Sequence, residues 1–277
     1  MRRYARIYFV ALLILAAVLA AGSRESTAAT ASSATAASKT GSGKLRLVAI
    51  GDSIPYNSPM DCPGCTGFVD RYARAVEKAT GRRVTVQNRS QHNNLTLPRL
   101  LAELDSFKSS LVAADVIVVG IAHNTIELNA DRPCGAPLQD DLPQWAAMDR
   151  ACAVRSAKRA RSLYDRLYSR IAALRKGKPT IFRTINRYND WIGSRDDHLT
   201  PSQERLTAMF IAKWNAELCQ SARAHRFGCA DVSRAFNGTS GLKPSGDLLG
   251  ADYTHPSEKG HALIARVLVA LGFAPLA

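Results

Sequence analysis

The stretch "LRLVAIGDSI", residues 45–54, decides the fold, because a nearly continuous apolar run breaks off at Gly51-Asp52-Ser53. Gly and Asp favour tight turns and Ser caps helices, so the run ends in a turn. A strand that is apolar on almost every position is covered on both faces, as central strands of parallel sheets are. "DVIVVGI", residues 115–121, has the same character, and shorter β-rich runs are "RVTVQN" (83–88), "PTIFRTI" (179–185) and "FGCADV" (227–232). Helical patterns fall between them, at about 67–79, 97–108, 154–176, 201–225 and 256–271. Strands alternating with helices predict an α/β fold with a parallel sheet sandwiched between helical layers.

Several boundaries carry local signals. Thr200-Pro201-Ser202-Gln203 places a capping residue, a proline at the first helical position and a glutamine at the third before a long helix. Gly177 and Gly228 follow helical patterns and read as helix-ending glycines. The Pro- and Gly-containing stretch between Asn124 and Cys152 reads as an insertion, and no repeat or second domain boundary is visible.

In open parallel sheets ligands bind beyond the carboxyl ends of the strands. The first strand delivers Ser53 there, the second "NRSQHNN" (88–94), the third "IAHNT" (121–125), and the chain end supplies "DYTHPSEKGH" (252–261). A serine hydroxyl needs a base, and imidazole suits that task because its pKa lies near neutrality. His255 is three residues from Asp252, close enough for one turn to let the carboxylate orient the ring. The oxyanion that forms on an attacked carbonyl needs preorganised donors. The Asn124 amide, the Ser53 backbone N–H and a group near Asn93 are the candidates.

Taken singly, each residue has a plain structural reading: Ser53 ends a strand, Asp252 caps a turn, His255 starts a helix, Asn124 sits in a turn. Their common order, each at a strand end, is what coincidence does not explain. Together "GDSI", "GIAHNT" and "DYTHPSEKGH" resemble the motifs of the SGNH, or GDSL-type, esterases and lipases, over essentially the whole chain from about residue 45 onward. The resemblance implies a three-layer α/β/α sandwich with a five-stranded parallel sheet. It also implies Ser53, Asp252 and His255 as catalytic triad, and an oxyanion hole from Ser53 and Asn124. The family's oxyanion glycine is missing from "NRSQHNNLT"; by its offset from Asn88, Asn93 takes that place, asparagine tolerating positive φ best among non-glycine residues. Tyr56, Asn94 and His123 are candidate pocket residues, and the remaining histidines, His92, His198, His225 and His261, read as surface or packing groups. Trp145, Trp191 and Trp214 read as core or pocket-wall aromatics.

The expected activity is hydrolysis of carboxylic esters through an acyl-enzyme, without metal or organic cofactor. The substrate would be an ester of lipid or acylated carbohydrate. The alternative is a catalytically degenerate protein of the same scaffold that binds envelope lipid or carbohydrate. A zinc hydrolase lacks the ligand spacings.

The N-terminus sets the expected compartment. Arg2, Arg3 and Arg6 precede an apolar run from Ile7 to Ala21, ending in Ala20-Ala21-Gly22. This is the pattern of a secretory signal peptide over residues 1–22, and the run is shorter than the ~20 residues of a spanning helix. Residues 23–43, rich in Ala, Ser, Thr and Gly, read as a flexible linker, with the hydrolase domain spanning 44–277. In an exported protein the six cysteines predict three disulfides, and short loops favour Cys62–Cys65, Cys134–Cys152 and Cys219–Cys229.

The net charge is +14, with Arg155, Lys158, Arg159, Arg161, Arg166, Arg170 and Arg175 expected on the solvent side of one helix. A solvated face explains this, and a weak attraction to anionic envelope surfaces would follow from it. No nucleic-acid motif accompanies the charge, and a monomer is expected.

Overall fold

The computed structural model describes residues 43–125, 148–194 and 198–277. Five strands form one all-parallel sheet: β1 (Leu45–Gly51), β2 (Val84–Asn88), β3 (Val116–Gly120), β4 (Ile181–Ile185) and β5 (Gly228–Ala230), in the order β2-β1-β3-β4-β5. The helices are α1 (Ser53–Tyr56), α2 (Phe68–Thr80), α3 (Leu97–Glu103), α4 (Lys108–Ala113), α5 (Arg150–Leu174), α6 (Pro201–Ala224), α7 (Val232–Asn237) and α8 (Glu258–Val269).

The near-continuous apolar strands are buried on both faces because their alternate side chains enter two separate cores. Val48 and Ile50 of β1, with Ile117 and Val119 of β3, pack under α3, α5 and α6. Leu45, Leu47 and Ala49, with Val116 and Val118, pack against α2, α7 and α8. The result is the expected three-layer sandwich.

Local signals work largely as read. Thr200 and Gln203 form the reciprocal capping box of α6. Ser257 caps α8, its side chain accepting from the Gly260 N–H. The apolar face of α5 is buried at Ala157, Ala160, Tyr164, Leu167 and Ile171. Trp214 and Trp191 are core residues.

Three expectations need correcting. Arg175 does not join the solvated face: it is buried, and its guanidinium donates to Thr180 Oγ1 and to the Val112 carbonyl. Asp115, 3.8 Å from the same guanidinium, adds an opposite charge that draws the long cation inward. Gly228 does not end a helix but opens β5, and the left-handed residue after α6 is Arg226 (φ 66°). A Cβ on Gly228 would sit 3.1 Å from Arg183 Nη1, so the glycine answers close packing instead. The single helix expected at 97–108 is instead α3, a 3-10 turn at Leu104–Phe107 and α4.

Disulfides join Cys62 to Cys65 and Cys219 to Cys229. Cys152 is disulfide-bonded, while Cys134 lies outside the described residues, as do residues 1–42 with the expected leader and linker, most of the expected insertion, and Trp145. Among the described residues no helix is long and apolar enough to cross a membrane.

Candidate active site

The sheet's central strands set the geometry by an unusually close backbone approach. Gly51 pairs with Gly120, has φ 151°, and a Cβ on it would lie 1.9 Å from the Gly120 carbonyl oxygen. With both side chains absent, the chain can turn sharply at Asp52, whose carboxylate caps α1 by accepting from the Ile54 N–H at 3.1 Å. The other carboxylate oxygen accepts the His123 N–H at 3.1 Å, which ties the turn after β1 to the turn after β3. Burial pushes the Asp52 carboxyl up to about 6, against the lowering effect of these N–H donors and of Arg187. From β2, the Asn88 amide donates to the Pro55 carbonyl at 2.6 Å and steadies the same turn.

Ser53, first residue of α1, therefore projects from a clamped turn. Its Oγ is 2.9 Å from His255 Nε2, and His255 Nδ1 is 2.5 Å from Asp252 Oδ2. Asp252 Oδ1 accepts the backbone N–H groups of Thr254 and His255, each at 3.0 Å, so the three-residue spacing closes one turn as the sequence suggests. Burial raises the Asp252 carboxyl, but the His255 ring and the two backbone donors outweigh it and hold the carboxyl below its ordinary value. An ionised carboxylate only accepts, so it fixes the proton on Nδ1 and turns the Nε2 lone pair toward the Ser53 hydroxyl.

A cleft of about 260 Å³ opens beside these atoms, and every described residue lining it is polar. It contains Ser53, His255, Asn124, Asn94 and His123. The Asn124 amide donates to the Leu95 carbonyl at 3.2 Å, which orients the group and leaves its second N–H. His123 is buried against Tyr188, with ring centroids 4.2 Å apart. Burial, with Arg187 and His255 nearby, keeps its ring well below the ordinary histidine range and so uncharged.

Asn93 is not where the sequence reading puts it. It is exposed, its amide donating to Gln91 Oε1 at 2.8 Å, and it does not line the cleft. The neighbouring Asn94 has the left-handed backbone (φ 55°) and does line it. Offset counting from Asn88 misses by one, because the left-handed backbone after β2 falls on Asn94. Tyr56 is exposed and lies outside the lining, packing on the His92 ring at 5.8 Å.

Asp61, His92, Arg187, Asp190 and Thr254 also line the cleft and escaped the sequence reading. His92, read as a surface group, sits 3.0 Å from Asp61 Oδ2, which is itself 3.5 Å from His255 Nε2. Arg187 is buried, donating to the His123 carbonyl at 3.0 Å and to Asp190 Oδ1 at 2.7 Å. The signal was available: "NRYND", residues 186–190, follows β4 and so occupies the carboxyl edge of the sheet. From the same segment the Tyr188 hydroxyl donates to the Thr254 carbonyl at 2.6 Å, anchoring the loop that carries Asp252 and His255.

The comparisons agree with this architecture. A model of the GDSL-like Lipase/Acylhydrolase family matches residues 49–263. No curated protein matches the chain in sequence. Among solved structures, the lipase Lip_vut3 from goat rumen metagenome is 21% identical with a TM-score of 0.67, spanning 84% of this chain and 100% of that one. The extracellular lipase of Streptomyces rimosus is 16% identical with a TM-score of 0.55, over 83% of this chain and 100% of that one. A catalytic mutant of the acetylxylan esterase Axe2 from Geobacillus stearothermophilus is 18% identical with a TM-score of 0.54, over 84% and 96%. These likenesses carry the fold, and the family match carries the membership: with its parallel sheet and its serine turn after β1, the chain belongs to the GDSL-like lipase/acylhydrolase family.

Proposed function

We propose that the chain is a secreted serine esterase that cleaves carboxylic esters through an acyl-enzyme. The observation that carries this reading is the unbroken hydrogen-bonded line from Ser53 through His255 to Asp252 at the edge of the cleft. In the proposed reaction Ser53 Oγ attacks the ester carbonyl carbon while its proton passes to His255 Nε2. Asp252 stabilises the imidazolium. The tetrahedral oxyanion is held by the Ser53 N–H, which the first turn of a helix leaves without an intrahelical partner, by the Asn124 amide and by the Asn94 N–H. Collapse breaks the bond to the alcohol, which leaves with the proton from Nε2, and a water repeats the cycle to release the acid.

The polar lining and the small volume favour a short acyl group on a polar alcohol, such as an acylated carbohydrate, over a long-chain lipid. Export is supported by the leader-like N-terminus and by the two disulfides. The exposed Arg155, Lys158, Arg159 and Arg166 of α5 would give a monomeric enzyme a weak, salt-sensitive attraction to anionic envelope material.

The test joins a fluorophosphonate probe to a series of p-nitrophenyl esters. The wild type is expected to be labelled and to prefer acetate to decanoate, and Ser53→Ala to lose both labelling and turnover. A folded wild type that neither labels nor turns over would support the binding-scaffold alternative. Preference for decanoate would overturn the short-acyl assignment.

A further inference from the structure

Three ligand atoms converge beside the nucleophile. Asp61 Oδ2 lies 3.0 Å from His92 Nε2 and 3.5 Å from His255 Nε2, and all three atoms fall within 4.8 Å of one another. Ligand atoms about 2.0–2.2 Å from a tetrahedral zinc ion stand roughly 3.3 Å apart, so the two shorter separations already have the span of a coordination edge. Asp61 Oδ2 is buried and makes no hydrogen bond of acceptable geometry, although two imidazole nitrogens face it. A cation shared by all three would engage the carboxylate oxygen and both imidazole nitrogens at once, whereas protons serve both contacts only if each Nε2 carries one, which leaves His255 no lone pair toward Ser53.

The surroundings hold the three groups in place. Asp61 belongs to a tight loop in which its N–H and that of Cys62 both donate to the Ser58 carbonyl, with the Cys62–Cys65 disulfide directly following. The His92 ring is packed between Tyr56 and His255, with centroids at 5.8 and 5.6 Å. His255 donates its Nδ1 proton to Asp252, which leaves Nε2 as the coordinating nitrogen, the usual carboxylate–histidine–metal relation.

We infer that Asp61, His92 and His255 form an inhibitory site for a divalent transition metal of the zinc class. The ion takes the Nε2 lone pair that otherwise accepts the Ser53 proton, so metal binding and general-base catalysis exclude each other. Carboxylate and imidazole donors suit zinc, and calcium or magnesium, which demand oxygen ligands, are excluded by two nitrogens out of three. Water or the Ser53 hydroxyl would complete the tetrahedron. The inhibitory half of the inference rests on the esterase reading; the binding half does not.

The experiment titrates Zn²⁺ calorimetrically, and Co²⁺ by its visible absorption, into the wild type, His92→Ala, Asp61→Asn and His225→Ala, with circular dichroism confirming that each is folded. His225, 3.6 Å from Asp165 and outside the cleft lining, controls for incidental binding. One site is expected in the wild type and in His225→Ala, weakened about tenfold or more in the other two, with a tetrahedral cobalt spectrum lost in parallel. Zn²⁺ is expected to inhibit p-nitrophenyl acetate hydrolysis over the same concentration range, reversibly with EDTA. For His92→Ala and Asp61→Asn, each normalised to its own metal-free rate, the inhibition constant should rise in step with the binding constant. Absence of binding, or binding unchanged in both variants, overturns the site. Binding without inhibition overturns its inhibitory role. Failure of the metal-free wild type to hydrolyse any ester overturns the esterase reading and the inhibition with it, while the titrations still decide the site.

Discussion

At the scale of single residues, the cleft works by fixing hydrogen-bond direction. Asn124 spends one N–H on the Leu95 carbonyl, whereas Asn94 has a left-handed backbone, and in the proposed reaction the second Asn124 N–H and the Asn94 backbone N–H hold the oxyanion. These roles predict different responses to substitution. Asn124→Ala removes a donor aimed at developing charge and should lower kcat about 10²-fold with a small change in KM. Asn94→Gly keeps both the N–H and the positive φ and should retain activity within a few-fold, because glycine enters that backbone region without steric cost. Steady-state kinetics on p-nitrophenyl acetate distinguish the two. A large loss in Asn94→Gly would assign the role to its side chain instead. The one-residue difference between Asn93 and Asn94 was beyond sequence reading, because nothing in "QHNN" tells which asparagine takes the left-handed backbone.

At the scale of elements, the strand ends are set by close backbone packing and the helix ends by side-chain caps. The capping box of α6 was legible because its signal is local, Thr200 with Gln203. The burial of Arg175 and the inward placement of Arg187 were not, since both answer carbonyls, of Val112 and of His123, brought near from distant parts of the chain. Gly51 shows how an element boundary serves the site. Gly51→Ala would drive a methyl group into the Gly120 carbonyl and demand a φ that alanine resists, prying β1 from β3 where Ser53 emerges. A loss on the order of 3 kcal/mol is expected from such overpacking and strain. Urea unfolding followed by tryptophan fluorescence would measure it, and an unchanged midpoint would show that the close contact is relieved at little cost.

At the scale of the whole molecule, two buried groups shape the dependence of stability on pH. His261 joins α8 to the start of α2, its Nδ1 accepting the Phe68 N–H at 3.3 Å. Burial, together with the Arg71 cation and despite Glu258, lowers its ring from 6.5 to about 4. A folded value below the unfolded one means stability that is fully present above about pH 6.5 and lost as pH falls toward 4. Asp52 has the opposite sign: its folded value of about 6 exceeds the unfolded 3.8, so its contribution declines as pH rises through that interval. Between pH 4 and 6 the two slopes oppose each other. His261→Gln removes one of them. The stability of the wild type relative to this variant should increase by roughly 3 kcal/mol from pH 4 to pH 6.5, then level off. Denaturant curves at several pH values measure the difference, and a difference independent of pH would show that His261 does not titrate with a lowered value.

The sequence by itself determined the parallel sheet, because near-continuous apolar strands alternating with amphipathic helices have few other ways to cover both strand faces. It also marked Ser53, Asn124, Asp252 and His255, since each lies just past a strand or before the last helix, where local order along the chain predicts position. Only the tertiary structure decided which asparagine after β2 faces the cleft, that "NRYND" completes its wall, and that Asp61 from the cysteine loop meets His92 and His255. Such meetings join segments about 30 to 200 residues apart and arise from the strand order and loop paths. Chain spacing encodes a turn or a helix face; it does not encode which loops the folded sheet brings side by side.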